Sequence, residues 1–270
     1  MLLDPIHAIS SLNFYRRAAA QAWWRSALYL VYLSFLVSLA FTVTLKIHAG
    51  PSIDSTFEWL KKSAPPLTFV NGKLTSSLTQ PLFLQHPDLK QIAVVIDTNR
   101  TEAVTLQALQ DAKAHAFLTA NALYLEQQFP GQPAKLIVYN FSAAADPKPV
   151  LIDAAFFENA RQIFDRILYP AVFASGWLFV ILWKAGATLM FALVGLLLNA
   201  LAEGGVAFPA LAAVALYAQT LPTVLQSLTM LFGVGIPLWP VVSLVATGAY
   251  IWLAIGKLRE PVPAEIPPAA

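Results

Sequence analysis

Long apolar runs and one long polar region divide the chain. The run from Ala27 to Leu45 contains no charged residue, and as a helix it is long enough to cross a hydrocarbon core of about 30 Å. Three further apolar runs, one of which contains a single lysine, cover residues 176–200, 207–232 and 238–256. The pattern therefore predicts four transmembrane helices.

Basic residues lie next to the first and last of these spans. Arg16, Arg17 and Arg25 precede the first span, and Lys257 and Arg259 follow the last. Because basic residues collect in cytoplasmic segments, both termini are expected in the cytoplasm. A cleaved signal peptide is the alternative interpretation of the first run, but no small-x-small cleavage motif follows it.

The polar region predicts a small α+β domain outside the membrane, because its many prolines divide it into short elements. In "PLTFVNGKLTS", Asn71 and Gly72 tolerate the positive φ of a two-residue hairpin turn. "QIAVVIDT" reads as a buried strand that ends at Asp97, and "EAVTLQALQDAKA" reads as a short helix. "AKLIVYNFS" is a further strand. Residues 116–127 fit either a continued helix or a second hairpin, and their alternation of apolar positions favours strands.

The pattern of apolar and polar residues predicts a segment for every part of the chain. Residues 153–175 combine apolar and charged positions and predict an amphipathic helix that leads into the second span. The predicted segments are a cytoplasmic amphipathic segment (1–26), the first span (27–45), the extracytoplasmic α+β domain (46–152), the lead-in helix (153–175), the second, third and fourth spans (176–200, 207–232 and 238–256), and a cytoplasmic proline-rich tail (257–270).

Composition supports a membrane protein and excludes other classes. The chain has 270 residues, of which 57% are hydrophobic and 12% charged, and its mean hydropathy is +0.61. Its net charge of +2 is dispersed, so no basic stripe for nucleic acid is expected. It has no cysteine, and its four histidines lack ligand spacing, so neither a metal site nor a cofactor is predicted.

Polar residues inside the predicted spans are the first candidates for a functional role. Asn199, Gln219 and Gln226 lie in or beside the second and third spans, where an amide needs a partner on another helix. Pro222 is expected to kink the third span. These amides either line a substrate path or form interhelical hydrogen bonds, and the scarcity of ionisable groups favours the second interpretation.

The external domain offers one acidic candidate. Asp97 and Thr98 follow an apolar strand in "VVIDTNR", which is where a carboxylate can meet a metal or a ligand. However, no second acid and no phosphate-binding glycine loop accompanies them. Asp97 is therefore expected to close a turn or cap a helix. With no catalytic constellation in the sequence, the chain is not expected to be an enzyme.

Lys184 is the one lysine within a predicted span. Trp177 and Trp183 precede it, and Trp239 begins the fourth span. Because tryptophans collect at membrane interfaces, we expect Lys184 to be an outer interfacial anchor whose ammonium extends towards the headgroups.

The layout resembles a known family. The segments "NFYRR", "VNGKLTS", "VVIDT", "ALYAQTLPTVLQSL" and "GVGIPLWPVVSLVATGAYIWLAI" are similar to a bacterial inner-membrane family catalogued as a domain of unknown function (DUF1189), some members of which are labelled maltodextrin utilisation proteins. The resemblance implies the same architecture in the bacterial inner membrane and implies no established catalytic residues. The positions that match its motifs are Asn71, Gly72, Asp97, Thr98, Tyr217 and Pro222.

Two functions are consistent with these features. The first is a non-enzymatic inner-membrane accessory or scaffold protein, whose external domain binds a partner or ligand and whose helices contact another membrane protein. The alternative is a small transporter or lipid-handling protein that uses the polar residues of the third span. An extracytoplasmic enzyme would require Asp97 to lie in an open cleft with other ionisable groups.

Overall fold

The computed structural model describes residues 3–89, 92–129, 131–144 and 147–260. Most of the predicted proline-rich tail, residues 261–270, lies outside the described residues. Contacts divide the chain into two units. We call residues 1–48 and 168–270 the helical unit, and residues 49–167 the sheet unit.

The helical unit begins with two short helices and contains every helix of membrane-spanning length within the described ranges. Four helices are long and apolar enough to cross a membrane. The third of them is divided in two. The helices of this unit are α1 (Asp4–Ser10), α2 (Phe14–Ala20), α3 (Trp23–His48), α6 (Ala154–Leu201, shared with the sheet unit), α7 (Phe208–Ala218), α8 (Thr220–Leu231) and α9 (Trp239–Arg259).

The core of the helical unit gathers aromatic side chains from both ends of the sequence. Tyr15, Tyr29 and Tyr217 are almost completely buried. The ring of Phe14 lies 5.0 Å from that of Tyr217, edge to face, and the hydroxyl of Tyr250 donates to the carbonyl of Ile9. The N-terminal segment is therefore packed against α7 and α9 and is part of the bundle.

The second span and the lead-in segment form one continuous helix. We expected a lead-in helix up to residue 175 and a span from residue 176, whereas α6 runs without interruption from Ala154 to Leu201. Its N-terminus is fixed by Asp153, whose carboxylate accepts from the backbone N–H of Phe156 at 3.0 Å. Pro170 lies inside the helix without ending it, as happens in helices that cross membranes.

Within its described residues, the sheet unit contains two sheets and two complete helices. Its elements are α4 (Gly50–Ser63), β1 (Leu67–Val70), β2 (Lys73–Ser76), β3 (Leu82–Gln85), β4 (Ala93–Ile96), α5 (Leu106–Asp111), β5 (Ala116–Leu118), β6 (Ala122–Gln127), β7 (Lys135–Asn140) and β8 (Val150–Ile152), with a 3₁₀ turn at Phe141–Ala144. One sheet has the order β2-β1-β8 and the other β3-β4-β5-β6-β7. All neighbouring strands are antiparallel except β4 and β5, which are parallel and joined through α5.

Several predicted elements of this unit are confirmed. Asn71 and Gly72 have φ of 51° and 72° and join β1 to β2, as the hairpin turn requires. Residues 116–127 form strands β5 and β6, which was the favoured alternative. Helix α4 was not predicted; Pro51 lies in its first turn, a position that proline favours in helices, and Pro65 follows the helix.

Candidate functional site

The third span is interrupted at Gln219. Helix α7 ends at Ala218 and α8 begins at Thr220. Pro222 lacks the N–H that would bond the carbonyl four residues earlier, and its ring clashes with that carbonyl, which belongs to Ala218. The helix is therefore interrupted three residues before Pro222, and a kink at this point stays a prediction.

The Gln219 side chain lies inside this break and is only 3% exposed. Its Nε2 donates to the carbonyl of Ala215, at 3.2 Å, and to the hydroxyl of Thr188 on α6, at 3.0 Å. The side-chain amide of Gln219 therefore bonds a backbone carbonyl near the end of α7 and also connects the third span to α6. A buried amide needs such partners because an unpaired polar group in an apolar interior is costly.

Other polar side chains converge on the same break. The ammonium of Lys184 donates to the hydroxyl of Thr223 at 2.6 Å, and Thr223 donates in turn to the carbonyl of Gln219 at 2.7 Å. The hydroxyls of Tyr29 and Thr220 share a hydrogen bond of 2.7 Å. We call this group the break cluster; its members are Tyr29, Lys184, Thr188, Gln219, Thr220 and Thr223.

The break cluster includes one of the three predicted intramembrane amides. The Asn199 side chain is buried near the end of α6, where its Nδ2 donates to the carbonyl of Val206 at 3.3 Å. Gln226 is exposed on α8. The structure thus brings Gln219 together with Lys184 and leaves Asn199 and Gln226 elsewhere. The hydroxyls that complete the cluster were missed, since Ser and Thr are common in such helices and no local spacing distinguishes these ones.

The predicted tryptophan anchors have different surroundings. The indole N–H of Trp177 donates to the carbonyl of Val31 at 3.2 Å. Trp183 is 66% exposed and stacks on Phe179, with ring centroids 6.4 Å apart. Trp239 is the first residue of α9. The interfacial positions of these tryptophans and of Lys184 remain predictions.

Asp97 and Thr98 form part of a turn after β4. The Asp97 carboxylate accepts from the backbone N–H of Asn99 at 3.1 Å. The side-chain amide of Gln80 accepts from the backbone N–H of Thr98 and donates to the Thr98 hydroxyl. The bond from Asn99 to Asp97 is local and is typical of an aspartate that closes a turn, and the two bonds to Gln80 connect Thr98 to the segment before β3.

A large apolar cavity lies between the two sheets, and no local pattern in the sequence predicts it. Its volume is about 450 Å³, and every side chain that lines it is aliphatic or aromatic. The lining residues are Leu60, Ala64, Leu67, Phe69, Leu74, Leu84, Val94, Ile96, Leu118, Leu123, Phe141, Val150, Ile152, Phe156 and Phe157.

The alternation along the strands explains how the cavity is formed. In β4, Ile96 contacts the cluster between the sheets, whereas Val95 belongs to the cluster under α5, because successive side chains point to opposite faces. Val150 and Phe156 are the most exposed of the lining residues, at 41% and 38%. The strands that line it come from distant parts of the sequence, with β1 paired to β8.

A charged ladder holds α4 against the first turns of α6. Lys61 of α4 bonds Glu158 at 2.9 Å, and Arg161 bonds Asp54 of α4 and Asp165. The hydrogen bond and charge of Glu158, followed by those of Glu58, raise the pKa of Lys61 above its usual value of 10.5. The ladder connects two of the helices that contribute side chains to the apolar cavity.

Among known proteins, the chain matches one family. The sequence profile of a family described as "Protein of unknown function (DUF1189)" matches residues 6–255, which is nearly the whole chain. No curated protein matches, and no solved structure matches.

Proposed function

The chain belongs to the DUF1189 family, and we propose that it is a non-enzymatic accessory protein of the bacterial inner membrane that binds a lipid. In this proposal the sheet unit lies on the outer side of the membrane. The acyl chain of the lipid occupies the cavity between its two sheets. The cavity itself, about 450 Å³ with a wholly apolar lining, is the observation that carries the proposal.

The size of the cavity argues for an occupant. Its volume is within the range of about 300–1,000 Å³ that is common for small-molecule sites. Because the cavity is open, water can reach its apolar lining, and an apolar occupant would remove that surface from water, which is favourable.

The chemistry of the lining selects the class of ligand. A polar molecule would lose its hydrogen bonds to water on entering and would find no partner among the lining side chains. A hydrocarbon chain gains about 25 cal/mol for each Å² of apolar surface that it buries. The headgroup would stay at the opening beside Val150 and Phe156, and Phe156 belongs to the first turn of α6.

The orientation rests on charge. Arg16, Arg17 and Arg25 precede α3 or lie at its start, and Lys257 and Arg259 end α9. The bias of basic residues towards the cytoplasm therefore favours cytoplasmic termini and an outer sheet unit.

Binding of a fluorescent long-chain fatty acid to the purified full-length protein tests the proposal. Val150→Trp narrows the opening, and Val138→Trp on β7 is the matched control because Val138 is similarly exposed, at 42%, and lies outside the cavity lining. We expect Val150→Trp to weaken binding by at least about tenfold, a change of roughly 1.4 kcal/mol, and Val138→Trp to leave it unchanged. Equal binding by all three proteins would refute the proposal.

A small transporter or lipid-handling protein that uses the polar residues of the third span is the second candidate. The break at Gln219 favours it, because transporters build their sites from interrupted helices. It requires water or substrate to reach the break cluster, whereas the side chains of Gln219 and Thr223 are each only 3% exposed.

A further inference from the structure

A cavity with two arginines lies where α1 and α2 meet the start of α3. Its volume is about 420 Å³. The lining carries two guanidinium groups and one carboxylate, so its net charge is positive. We call this cavity the arginine pocket; it is lined by Asp4, Phe14, Arg17, Ala18, Gln21, Trp24 and Arg25.

The two guanidinium groups of the arginine pocket lie over aromatic rings. Arg17 is 5.6 Å from the centre of the Phe14 ring, and Arg25 is 5.5 Å from that of the Trp24 ring. Both arginines are exposed. No ion pair joins either guanidinium to another of the described residues. Their N–H donors are therefore available to a ligand.

The neighbouring Arg16 has a different role. Its guanidinium donates to the backbone carbonyls of Lys257 and Glu260, each at 2.7 Å. Arg16 thus holds the N-terminal segment to the end of α9, as basic side chains do at the C-terminal ends of helices. Packing of the bundle therefore accounts for Arg16 and gives no corresponding reason for Arg17 and Arg25.

The arginine pocket lies next to an apolar run that is long enough to cross a membrane. Arg25 is in the first turn of α3, two residues before the charge-free run from Ala27 to Leu45. Trp24 is 49% exposed, and tryptophan collects where hydrocarbon meets the headgroups. The order of these residues places the pocket at the level of the headgroups, at the N-terminal end of α3.

An exposed apolar stripe continues from the arginine pocket along α3. Leu28, Phe35 and Leu39 follow Trp24 by 4, 11 and 15 residues, spacings that place all four side chains on the same side of a helix. The three are 45%, 39% and 44% exposed. This side of α3 is therefore basic at its N-terminal end, where it adjoins Arg25, and apolar beyond it.

An anionic phospholipid has the same order of chemistry along the membrane normal, with a phosphate above two acyl chains. The planar donor fork of arginine matches a phosphate group with two parallel hydrogen bonds. Basic pockets beside membrane helices recognise anionic headgroups for this reason. A zwitterionic headgroup fits less well, because its ammonium would be repelled by the positive lining.

We propose that the arginine pocket binds the headgroup of an anionic phospholipid whose acyl chains lie along the apolar stripe of α3. This site goes beyond the proposed function, since its lipid is a different one from the lipid between the sheets. A phosphate held by both Arg17 and Arg25 would join α2 to α3. Because both guanidinium groups are exposed, this lipid exchanges with the surrounding bilayer.

Fluorescence quenching in reconstituted vesicles tests the inference with the full-length protein. Because the chain has no native cysteine, Leu28→Cys allows a single bimane label beside the pocket. Leu253→Cys, 49% exposed on α9, carries the control label near the basic end of another helix. Vesicles of phosphatidylcholine receive increasing amounts of doxyl-labelled phosphatidylglycerol or doxyl-labelled phosphatidylcholine.

The expected result is a preference for the anionic lipid at position 28. Half-maximal quenching there should need a mole fraction of phosphatidylglycerol at least about fivefold lower than that of phosphatidylcholine, which is roughly the contribution of one arginine near anionic headgroups. At position 253 the two lipids should differ by about twofold or less, since only the general attraction of basic residues acts there.

Substitutions then assign the preference to the pocket. The double variant Arg17→Gln with Arg25→Gln should lose the preference at position 28. Arg259→Gln should keep it, since Arg259 is exposed on α9 and lies outside the pocket lining. Val150→Trp, which narrows the cavity between the sheets, should also keep it, so this inference and the proposed function can fail separately.

Several results would overturn the inference. Equal quenching by the two lipids at position 28 is the simplest, because that comparison leaves both arginines in place. An equal preference at positions 28 and 253 would indicate a general attraction to basic helix ends, and a preference that survives the double variant would place the site elsewhere. Displacement of the labelled phosphatidylglycerol by millimolar inorganic phosphate would show a site for a soluble anion in place of a lipid.

Discussion

The ammonium of Lys184 donates a hydrogen bond of 2.6 Å to the hydroxyl of Thr223. The hydroxyl of Thr223 donates in turn to the carbonyl of Gln219, so the ammonium of Lys184 on α6 is connected by hydrogen bonds to the break between α7 and α8. The same break is held from the other side by the bond of Gln219 to Thr188. These hydrogen bonds connect the break to α6, and Gln219 and Thr223 are buried in the helical unit.

Cysteine accessibility separates the accessory role from the transporter alternative. Because the chain has no native cysteine, Gln219→Cys introduces a single thiol at a position that is 3% exposed. We expect that thiol to resist a membrane-impermeant maleimide in intact membranes and to react after denaturation. Ser63→Cys, at an exposed position of α4, is the positive control. Rapid labelling at position 219 in native membranes would favour a water-accessible path and the transporter.

The hairpin turn of the sheet unit gives a test of local stability. Gly72 has φ of 72°, and a Cβ added there would lie 3.0 Å from the carbonyl oxygen of Phe141, whereas Gly131 has φ of 78° and open space around it. Left-handed backbone costs an L-residue roughly 1–2 kcal/mol. Gly131→Ala should lower the free energy of unfolding by about that amount. Gly72→Ala should lower it further, because the added Cβ would also press against the carbonyl oxygen of Phe141. Thermal unfolding of the wild type and the two variants measures these changes in stability. Equal destabilisation by the two substitutions would contradict the described turn.

The charged ladder predicts a pH dependence with a defined sign. Because the folded pKa of Lys61 is raised above 10.5, its contribution to stability is complete below that pH and is lost as pH rises through the folded pKa. Lys61→Met should therefore lower the melting temperature at neutral pH, and the difference from wild type should shrink above pH 10.5. The matched control is Lys62→Met, since Lys62 is 77% exposed and lies 4.0 Å from Glu58. An equal effect of both variants at every pH would argue against the ladder.

Orientation can be measured with reporter fusions. We expect fusions after Lys46 and after Gly235 to report the outer side of the membrane, and fusions at Gly204 and Arg259 to report the cytoplasm, because basic residues flank the cytoplasmic ends. Position 204 is the most informative, since it follows α6. A reporter there that reads outside would reverse the orientation of α7 to α9.

Local signals in the sequence were sufficient for the elements that local chemistry determines. The turn at Asn71 and Gly72 requires positive φ, and few residues other than glycine and asparagine provide it, so the hairpin was predictable. The apolar runs predicted four helices because length and hydropathy alone define a candidate span. Helix α4 was missed because prolines at the ends of a helix are also typical of turns.

The candidate sites depend on contacts that no local pattern encodes. Gln219 was recognisable as a polar residue in a span, but its bonds to Thr188 and its link through Thr223 to Lys184 depend on how α6 and α8 pack. The cavity is less predictable still. Its lining joins β1 to β8 and to strands of the second sheet, and each of those side chains taken alone is an ordinary core residue.

The most direct test of the proposed function is the mass of the full-length protein released from its own membranes into a native mass spectrometer. The wild-type chain should carry one lipid-sized adduct. Ala64→Phe, which adds a ring to the lining of the cavity, should lose the adduct, and Ser63→Phe, at the exposed neighbouring position, should keep it. A wild-type protein with no adduct, or an adduct that persists unchanged in Ala64→Phe, would contradict binding of a lipid chain between the sheets.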